Sequence, residues 1–552
     1  MPTISALQTA RSTYQPKLPQ SLATFGPHVK ITQGDPTTPV ADRNAIEKIF
    51  PNTYGLPVVS FTSEEEKREN KPLKVGVVLS GGQAPGGHNV IAGIFDAIKA
   101  VHPASELYGF RGGPSGMVDN KFKVLDQEII DRYRNTGGFD IIGSGRTKLE
   151  EEDQFAKVAE NCDQLGIKVI VVIGGDDSNT NACVLAEYFR QHEIDISVIG
   201  CPKTIDGDLK NEQVQTSFGF DTATKVYSEL IGNIERDANS ARKYWHFIRL
   251  MGRSASHIAL ECALQTHPNA TIISEEVQEK DHTLMDIVRY LAGIVRDRAK
   301  KGKNFGIVLV PEGLIEFIPE MKQLIGELNE LLAANQSYFQ SLPTTDDKFQ
   351  YVNSRLSQSS SYAFSSLPGN IQMQLLMDRD PHGNVQVSRI ETEKLLVDMI
   401  DDLLREWKAR GEYEGKFSSQ SHFFGYEGRC AAPSNFDADY CYSLGYTAAV
   451  LGANRRTGYL SSIRNLELGA EQWEAGGIPL TMLMNLERRG GADKPVIRKA
   501  LVDLEGKPFQ QLQEHRSAWA AGEDYVYPGP IQYFGPSEVC DASSVTLRLE
   551  RS

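Results

Sequence analysis

Two adjacent aspartates in a glycine turn pose the chemical question of this sequence. The stretch Gly174-Gly-Asp-Asp-Ser-Asn-Thr-Asn181 follows the apolar run Ile167-Lys-Val-Ile-Val-Val-Ile173 and leads into Ala182–Arg190, which has helical patterning. A buried strand, a glycine turn and a helix start present backbone N–H groups at which anions bind. Carboxylates in that turn repel a phosphate unless a cation intervenes, so Asp176 and Asp177 require a divalent ion, a positive side chain, or both.

Positive charge is available after the next apolar run. Cys201-Pro-Lys-Thr-Ile-Asp-Gly-Asp208 follows Ile196–Ile199. There Lys203 can neutralise a transferring phosphoryl group and Asp206 can take the proton of a hydroxyl nucleophile; composition alone equally allows the two simply to pair. Two further turns, Gly81-Gly-Gln-Ala-Pro-Gly-Gly87 and Gly143-Ser-Gly-Arg146, are phosphate cradles or plain tight turns, with Arg146 a ligand or a solvated arginine. Three such turns after apolar runs favour the phosphate reading, because ligands of open parallel sheets sit at the carboxyl ends of strands. Met251-Gly-Arg253 and Gly425-Tyr-Glu-Gly-Arg429 each add an arginine, and two guanidinium groups suit the fixed phosphate of a sugar phosphate. Glu312, in Pro311-Glu-Gly313, is either an acceptor for sugar hydroxyls or a helix-start charge.

These residues need strands that end where the turns begin. Leu73–Leu79 reads as a buried strand and His88–Ala100 as a helix with Val90, Ile91, Ile94, Phe95 and Ile98 as its apolar residues. The pattern returns through Ile167–Ile173, Ile196–Ile199 and a helix over about Thr222–Arg236. A second series runs through His246–Leu250, a helix over Ala255–Leu264, Thr271–Ser274, a helix over Leu284–Arg298 and the strand Phe305–Val310. Strands alternating with helices imply parallel connections, so the expected fold is α/β: two Rossmann-like lobes with open, mostly parallel sheets. Later the alternation lapses into two helical stretches. Met321, Leu324, Ile325, Leu328, Leu331 and Leu332 share one face after Pro319, and Leu395, Leu396, Met399, Ile400, Leu403, Leu404 and Trp407 share another before Gly411. The expected division is an N-terminal extension over 1–72, an α/β lobe over 73–240, a second over 241–316, a mainly helical insertion over 317–415, and a return to the lobes over 416–552. The charge run Glu64–Glu69 reads as a solvated linker.

A chain of 552 residues holds two or three domains. Its net charge of −14 argues against nucleic acid or an anionic membrane as partner. Seven cysteines without a close metal-type pair argue against zinc and suit a reducing compartment. No apolar run approaches the roughly 20 residues of a membrane span, and Met1–Gln20 lacks an apolar signal core. The expected location is cytoplasmic.

The six motifs taken together resemble the phosphofructokinases, and within them the long pyrophosphate-dependent type. The set is Gly-Gly-Gln-Ala-Pro-Gly-Gly-His-Asn from Gly81, Gly-Gly-Asp-Asp-Ser from Gly174, Pro-Lys-Thr-Ile-Asp-Gly-Asp from Pro202, Met-Gly-Arg from Met251, Pro-Glu-Gly from Pro311 and Gly-Tyr-Glu-Gly-Arg from Gly425. The resemblance implies reversible transfer from pyrophosphate to fructose 6-phosphate, giving fructose 1,6-bisphosphate and phosphate. It implies that Gly82 and Arg146 contact pyrophosphate, that Asp176 holds Mg²⁺, that Asp206 is the base and that Lys203 offsets charge on the departing phosphate. Thr204, Ile205, Met251, Gly252, Arg253, Glu312, Tyr426, Glu427, Gly428 and Arg429 are implied to line the sugar-phosphate site. Lys243 and Tyr244 are implied to reach a neighbouring subunit's substrate, hence a homodimer or larger assembly. ATP-using relatives have glycine at the position of Asp177, whose carboxylate here would occupy the place of the nucleotide's α-phosphate and repel it by roughly several kcal/mol. The alternatives are an ATP-dependent enzyme of the same fold and a non-catalytic regulatory subunit; a dinucleotide-dependent oxidoreductase is a distant third, since the glycine turns here lack the dinucleotide spacing with an acid about 20 residues on.

Overall fold

The computed structural model describes residues 5–66, 71–377, 385–489, 492–531 and 537–552. Residues 67–70, which include the last three of the expected linker, and 378–384 of the expected insertion lie outside the described residues. The chain forms two compact units, one of Met1–Val226, Tyr426–Ala500 and Pro530–Ser552, the other of Tyr227–Gly425 and Leu501–Gly529.

The first unit is built on a nine-stranded mixed sheet. Its centre is five parallel strands in the order Tyr459–Arg464, Ser197–Pro202, Val169–Gly174, Lys74–Leu79 and Glu106–Phe110. Val169–Gly174 and Ser197–Pro202 are buried throughout, as strands covered on both faces must be, and their Val and Ile content suits that pleated, enclosed setting. Phe122–Val124 closes one side antiparallel, and Glu474–Pro479, Pro57–Glu65 and Val29–Pro36 extend the other. The first 72 residues therefore supply two strands, which their mostly polar sequence did not announce. Glu64 and Glu65 finish a strand instead of opening a linker.

Helices Gly87–Val101 and Asn435–Ala453 pack backbone to backbone in this unit. A Cβ on Gly445 would lie 1.9 Å from Val90 O, and one on Gly93 would lie 2.1 Å from Tyr442 O. The first of these helices starts at the end of the Ser80–Gly87 turn, so its seating fixes that turn. His88 and Asn89 brace it from inside. His88 Nδ1 lies 2.7 Å from Thr136 Oγ1, and Asn89 accepts from the Asn135 N–H at 2.9 Å while donating to Asn135 Oδ1 at 2.8 Å. Burial drives the His88 pKa down to about 4, so this imidazole is neutral.

The second unit holds a four-stranded parallel sheet, in order Ser419–Phe424, Trp245–Leu250, Gly306–Pro311 and Ala270–Thr271. Extended structure around Thr271 is shorter than expected, because the helix Ser274–Glu279 begins at once. In place of two helical stretches, the described residues from 319 to 409 form six α-helices, Pro319–Ala334, Gln336–Ser341, Thr345–Asn353, Gln358–Ser366, Gly369–Met377 and Thr392–Ala409, and one 3-10 turn, Val387–Arg389. The two expected apolar stripes are core: Met321, Leu324, Ile325, Leu328, Leu332, Leu395, Leu396, Ile400 and Leu404 are buried in one cluster with Trp245, Phe247 and Val308 of the sheet. Each such side chain stabilises the unit by about 1.5–3 kcal/mol. The cluster carries one ion pair beside it, Arg249 to Glu393 at 2.8 Å, both almost fully enclosed.

Helix contact at Gly445 leaves no room for a side chain, whereas a Cβ on Gly326 meets nothing within 4 Å. Gly445→Leu is expected to cost about 3 kcal/mol or more, and Gly326→Ala to add about 0.5–1 kcal/mol, each read as a shift in urea midpoint.

Candidate active site

Three parallel strands end side by side and deliver their loops to one edge. Leu79 pairs with Ile173, and Ile173 pairs with Cys201, so the turns after Leu79, Gly174 and Pro202 leave the sheet together. Cross-links then hold them. The Ser80 N–H donates to Ile173 O at 2.8 Å, the Lys203 N–H to Gly174 O at 2.9 Å, and the Ser178 hydroxyl to Ser80 Oγ at 2.8 Å. The Gly143–Arg146 turn joins them, since the Gly81 N–H donates to Gly145 O at 2.8 Å. All three glycine turns of the sequence thus meet in one unit.

Asp176 and Asp177 occupy the first turn of the helix Asp176–Gln191, six residues earlier than its apolar pattern alone indicates. Aspartate there is favoured by the helix dipole. The two side chains diverge. Asp177 Oδ1 lies 3.4 Å from Lys148 Nζ, while Asp176 Oδ2 lies 3.6 Å from Lys499 Nζ.

Lys203 is the electrostatic hub. Its side chain is 6% exposed, and a Cβ on Gly81 would lie 3.3 Å from its Nζ, so the ammonium sits against the glycine turn. Burial lowers its pKa to about 8, the charges of Arg429 and Arg146 push the same way, and Asp206 and Asp176 oppose them. Asp206 is half-buried, its N–H donating to Thr204 Oγ1 at 3.1 Å, while Thr204 O accepts from Ser217 Oγ at 2.8 Å and Ile205 is buried beneath. Arg146 is exposed on its turn. Arg429 lies across the first loop: its Nε donates to Gln83 O at 3.1 Å, and a Cβ on Gly82 would be 1.5 Å from its Nη2. A side chain at position 82 would therefore displace the guanidinium from this place. Tyr426, in the same short helix Tyr426–Arg429 as Glu427 and Gly428, presents its ring 5.8 Å from the Arg429 guanidinium carbon.

In the second unit the Met251–Arg253 turn meets the Pro311–Gly313 turn. The Gly252 N–H donates to Glu312 Oε2 at 2.9 Å, and a Cβ on Gly313 would lie 2.0 Å from Arg253 O. Glu312 is buried and orients the turn that carries Arg253. Lys243 and Tyr244 are not brought to this turn. They precede the strand Trp245–Leu250, which Met251 follows, so a six-residue strand of about 20 Å separates them.

Among the described residues no three His, Cys, Asp or Glu side chains form a metal cage. Magnesium does not need one, since it binds through one or two carboxylates with the remaining ligands from water and phosphate. The Asp176 carboxylate fits that requirement, and the Lys499 ammonium beside it marks the spot as one that takes a cation.

The family model described as phosphofructokinase matches residues 74–451. The chain belongs to the phosphofructokinase family. It is 59% identical over 548 residues to the pyrophosphate–fructose 6-phosphate 1-phosphotransferase of Porphyromonas gingivalis, covering 99% of each chain. It is 57% identical over 558 residues to the enzyme of the same name from Treponema pallidum, covering 100% of this chain and 97% of that one. The fold is similar to a solved pyrophosphate-dependent phosphofructokinase from Nitrosospira multiformis, with a TM-score of 0.53 at 16% identity over 88% of this chain and 98% of that one. At that identity the likeness speaks for the fold alone. The α/β architecture expected from the alternating pattern is thus the family's.

Lys148 and Lys499, which pair with Asp177 and Asp176, are not revealed by the motifs. Neither lies in a glycine turn, and Lys499 lies beyond the residues that the family model matches. Lys203 carries its proton below about pH 8 and loses it above. Pyrophosphate binding to the substrate-free protein, measured by calorimetry, is therefore expected to weaken as pH rises through about 8, and Lys203→Arg should remove that loss.

Proposed function

We propose that this chain catalyses reversible, Mg²⁺-dependent phosphoryl transfer from pyrophosphate to the 1-hydroxyl of D-fructose 6-phosphate, giving fructose 1,6-bisphosphate and phosphate. The observation that carries the reading is the buried Lys203 ammonium facing Asp176 and Asp206 at the ends of three parallel strands. Relatives 57–59% identical over nearly the whole chain, named for this reaction, support it.

Phosphoryl transfer asks for little covalent chemistry from the protein; positioning and charge neutralisation do most of the work. Asp206, half-buried beside Lys203, takes the proton of the 1-hydroxyl as that oxygen attacks phosphorus. Lys203 offsets the charge on the departing phosphate, with Arg146 beside it. The amide of Gly82 contacts pyrophosphate. Asp176 holds the magnesium, which when bound neutralises phosphate charge. We assign contacts to sugar phosphate to Thr204, Ile205, Tyr426, Glu427, Gly428 and Arg429, and to Met251, Gly252, Arg253 and Glu312, each taken by itself.

Asp177 sets the donor. Its carboxylate, turned toward Lys148 and half-exposed, occupies the volume of a nucleotide α-phosphate and repels one. Lys243 and Tyr244 serve a neighbouring subunit's substrate in a homodimer, a reading supported by their distance along the strand from Met251. No helix among the described residues is long and apolar enough to cross a membrane, and all seven cysteines are free thiols, which suits a reducing cytoplasm.

Three measurements test this reading. Supplied singly, pyrophosphate should support turnover and ATP should not; efficient ATP use would favour the ATP-dependent enzyme, and a chain inactive alone but stimulating a partner would favour a regulatory subunit. Asp206→Ser should lower kcat by about 10²–10⁴ with sugar-phosphate affinity nearly unchanged. Asp177→Gly, alone or with Lys203 changed, should admit ATP; if ATP use stays undetectable in both variants, exclusion by Asp177 is refuted.

A further inference from the structure

A chain with a net charge of −14 repels polyanions on average, yet one flank of the Gly143–Arg146 turn is positive. A cavity of about 810 Å³ opens there in the first unit, and its charged lining residues are Arg111, Lys121, Lys123 and Asp140. Its floor is apolar. Ile141 and Ile142 are buried, and Gly143 beside them begins the turn that carries Arg146. None of the six motifs contains the three cations.

Backbone pairing brings the cations together. Arg111 follows the strand Glu106–Phe110, and Lys121 and Lys123 flank Phe122, which pairs with Phe110. The Arg111 N–H donates to Lys121 O at 2.8 Å and closes that end of the strand pair. The cavity also adjoins the donor turns without a gap. The Gly112 N–H donates to Ile142 O at 3.0 Å, a Cβ on Gly113 would lie 2.4 Å from Gly145 N, and Gly145 O accepts from the Gly81 N–H at 2.8 Å. From the other side, a Cβ on Gly138 would lie 3.2 Å from Asp140 Oδ1 and 3.6 Å from Gln83 Oε1, so Asp140 stands beside the Gly81–Gly87 loop.

The charge balance at this flank favours an anion. Lys121 shares its charge with Asp119 at 3.0 Å, and Asp140 lies 3.6 Å from His88 Nε2. Among the described residues no carboxylate lies within 4 Å of the charges of Arg111, Lys123 or Arg146. These three outweigh Asp140. A cleft with one prevailing sign of charge and apolar walls concentrates its field and raises encounter rates with the opposite charge by about 10–10³.

We propose that this cavity is a capture site for inorganic phosphate anions, pyrophosphate above all, from which the donor passes Arg146 to the turns of Gly81 and Gly174. Arg111, Lys121 and Lys123 do their work before the donor reaches Lys203 and Asp206, so they govern association and not the step that follows. The inference rests on the pyrophosphate reading given above, but capture can be measured without turnover.

The test uses the full-length chain with Arg111→Gln, Lys121→Gln and Lys123→Gln combined. At about 20 mM KCl, kcat/KM for pyrophosphate should fall about tenfold, while kcat stays within about twofold and kcat/KM for fructose 6-phosphate within about threefold of the parent. At about 0.5 M KCl, where salt screens such fields, parent and variant should agree within about twofold. The charge-conserving set Arg111→Lys, Lys121→Arg and Lys123→Arg should stay within about twofold of the parent at both salt concentrations. An unchanged kcat/KM for pyrophosphate in the glutamine variant, a loss that persists at high salt, an equal loss for both substrates, or the same loss in the charge-conserving set would each overturn the proposal. Without turnover, the parent should broaden the ³¹P resonance of pyrophosphate at low salt about twofold or more beyond the glutamine variant; equal broadening overturns the capture site. If the parent does not use pyrophosphate, the functional reading fails while the ³¹P measurement still decides on capture. Should the triple variant fail to fold, Lys121→Gln with Lys123→Gln carries the same measurements, with a loss of about threefold expected.

Discussion

An ammonium group withdrawn from water is stable only where negative charge faces it, and Lys203 imposes that condition on its whole surroundings. With 6% of its side chain exposed, it cannot rely on solvent. Asp176 and Asp206 face it from two loops, while Arg429 and Arg146 keep the balance from becoming a closed, self-satisfied ion pair. Each of those groups is held by backbone: Lys203 through its N–H to Gly174 O, Asp176 by the first turn of a helix, Arg429 by the Gln83 carbonyl and the missing Cβ of Gly82. Removing any strand end would move a charge, so the parallel sheet is the framework of the electrostatics as much as of the fold.

The parts legible in the sequence are those whose physics is local. Ile167–Ile173 and Ile196–Ile199 read as strands because they are short apolar runs, and the structure has buried strands there, Val169–Gly174 and Ser197–Pro202. Lys499 is invisible by the same standard. It sits in an unremarkable Val-Ile-Arg-Lys-Ala run and reaches Asp176 only because a hairpin some 300 positions downstream packs on that helix. The four short helices from Gln336 to Met377 escaped the apolar-stripe criterion because each is only six to nine residues long, too short to repeat a stripe, and Gln336–Ser341 and Gln358–Ser366 are also rich in Ser and Gln. Two carry a signal that periodicity does not use: the Thr344 hydroxyl accepts from the Asp347 N–H at 3.1 Å and the Ser357 hydroxyl from the Ser360 N–H at 3.3 Å, both N-caps readable from composition. The strand Val29–Pro36 was hidden for another reason. It lies at the sheet edge with most positions exposed, so it shows no apolar run.

The second unit relies on a different device. Its helices are attached to the sheet by apolar burial, and the buried pair of Arg249 and Glu393 specifies where Thr392–Ala409 sits. Such a pair contributes little net stability but penalises any packing that leaves one charge alone. Arg249 also donates to Ile390 O at 3.0 Å and stacks 4.1 Å from the Phe423 ring centre, so one side chain joins two neighbouring strands and the helical layer. The strand that holds Arg249 ends at Leu250, immediately before the turn braced by Glu312. Packing of the helices is therefore mechanically continuous with the turn that presents Arg253.

The strand Pro57–Glu65 has as its inward neighbour Glu474–Pro479, a segment roughly 400 residues later in the chain. During synthesis at about 5–20 residues per second, the amino-terminal hairpin waits roughly 20–80 s for that partner. For this interval its inner edge offers unpaired N–H and C=O groups to any passing strand. On that inner strand the charged end, Glu64 and Glu65, works against such pairing at the ribosome before it ever serves the finished sheet.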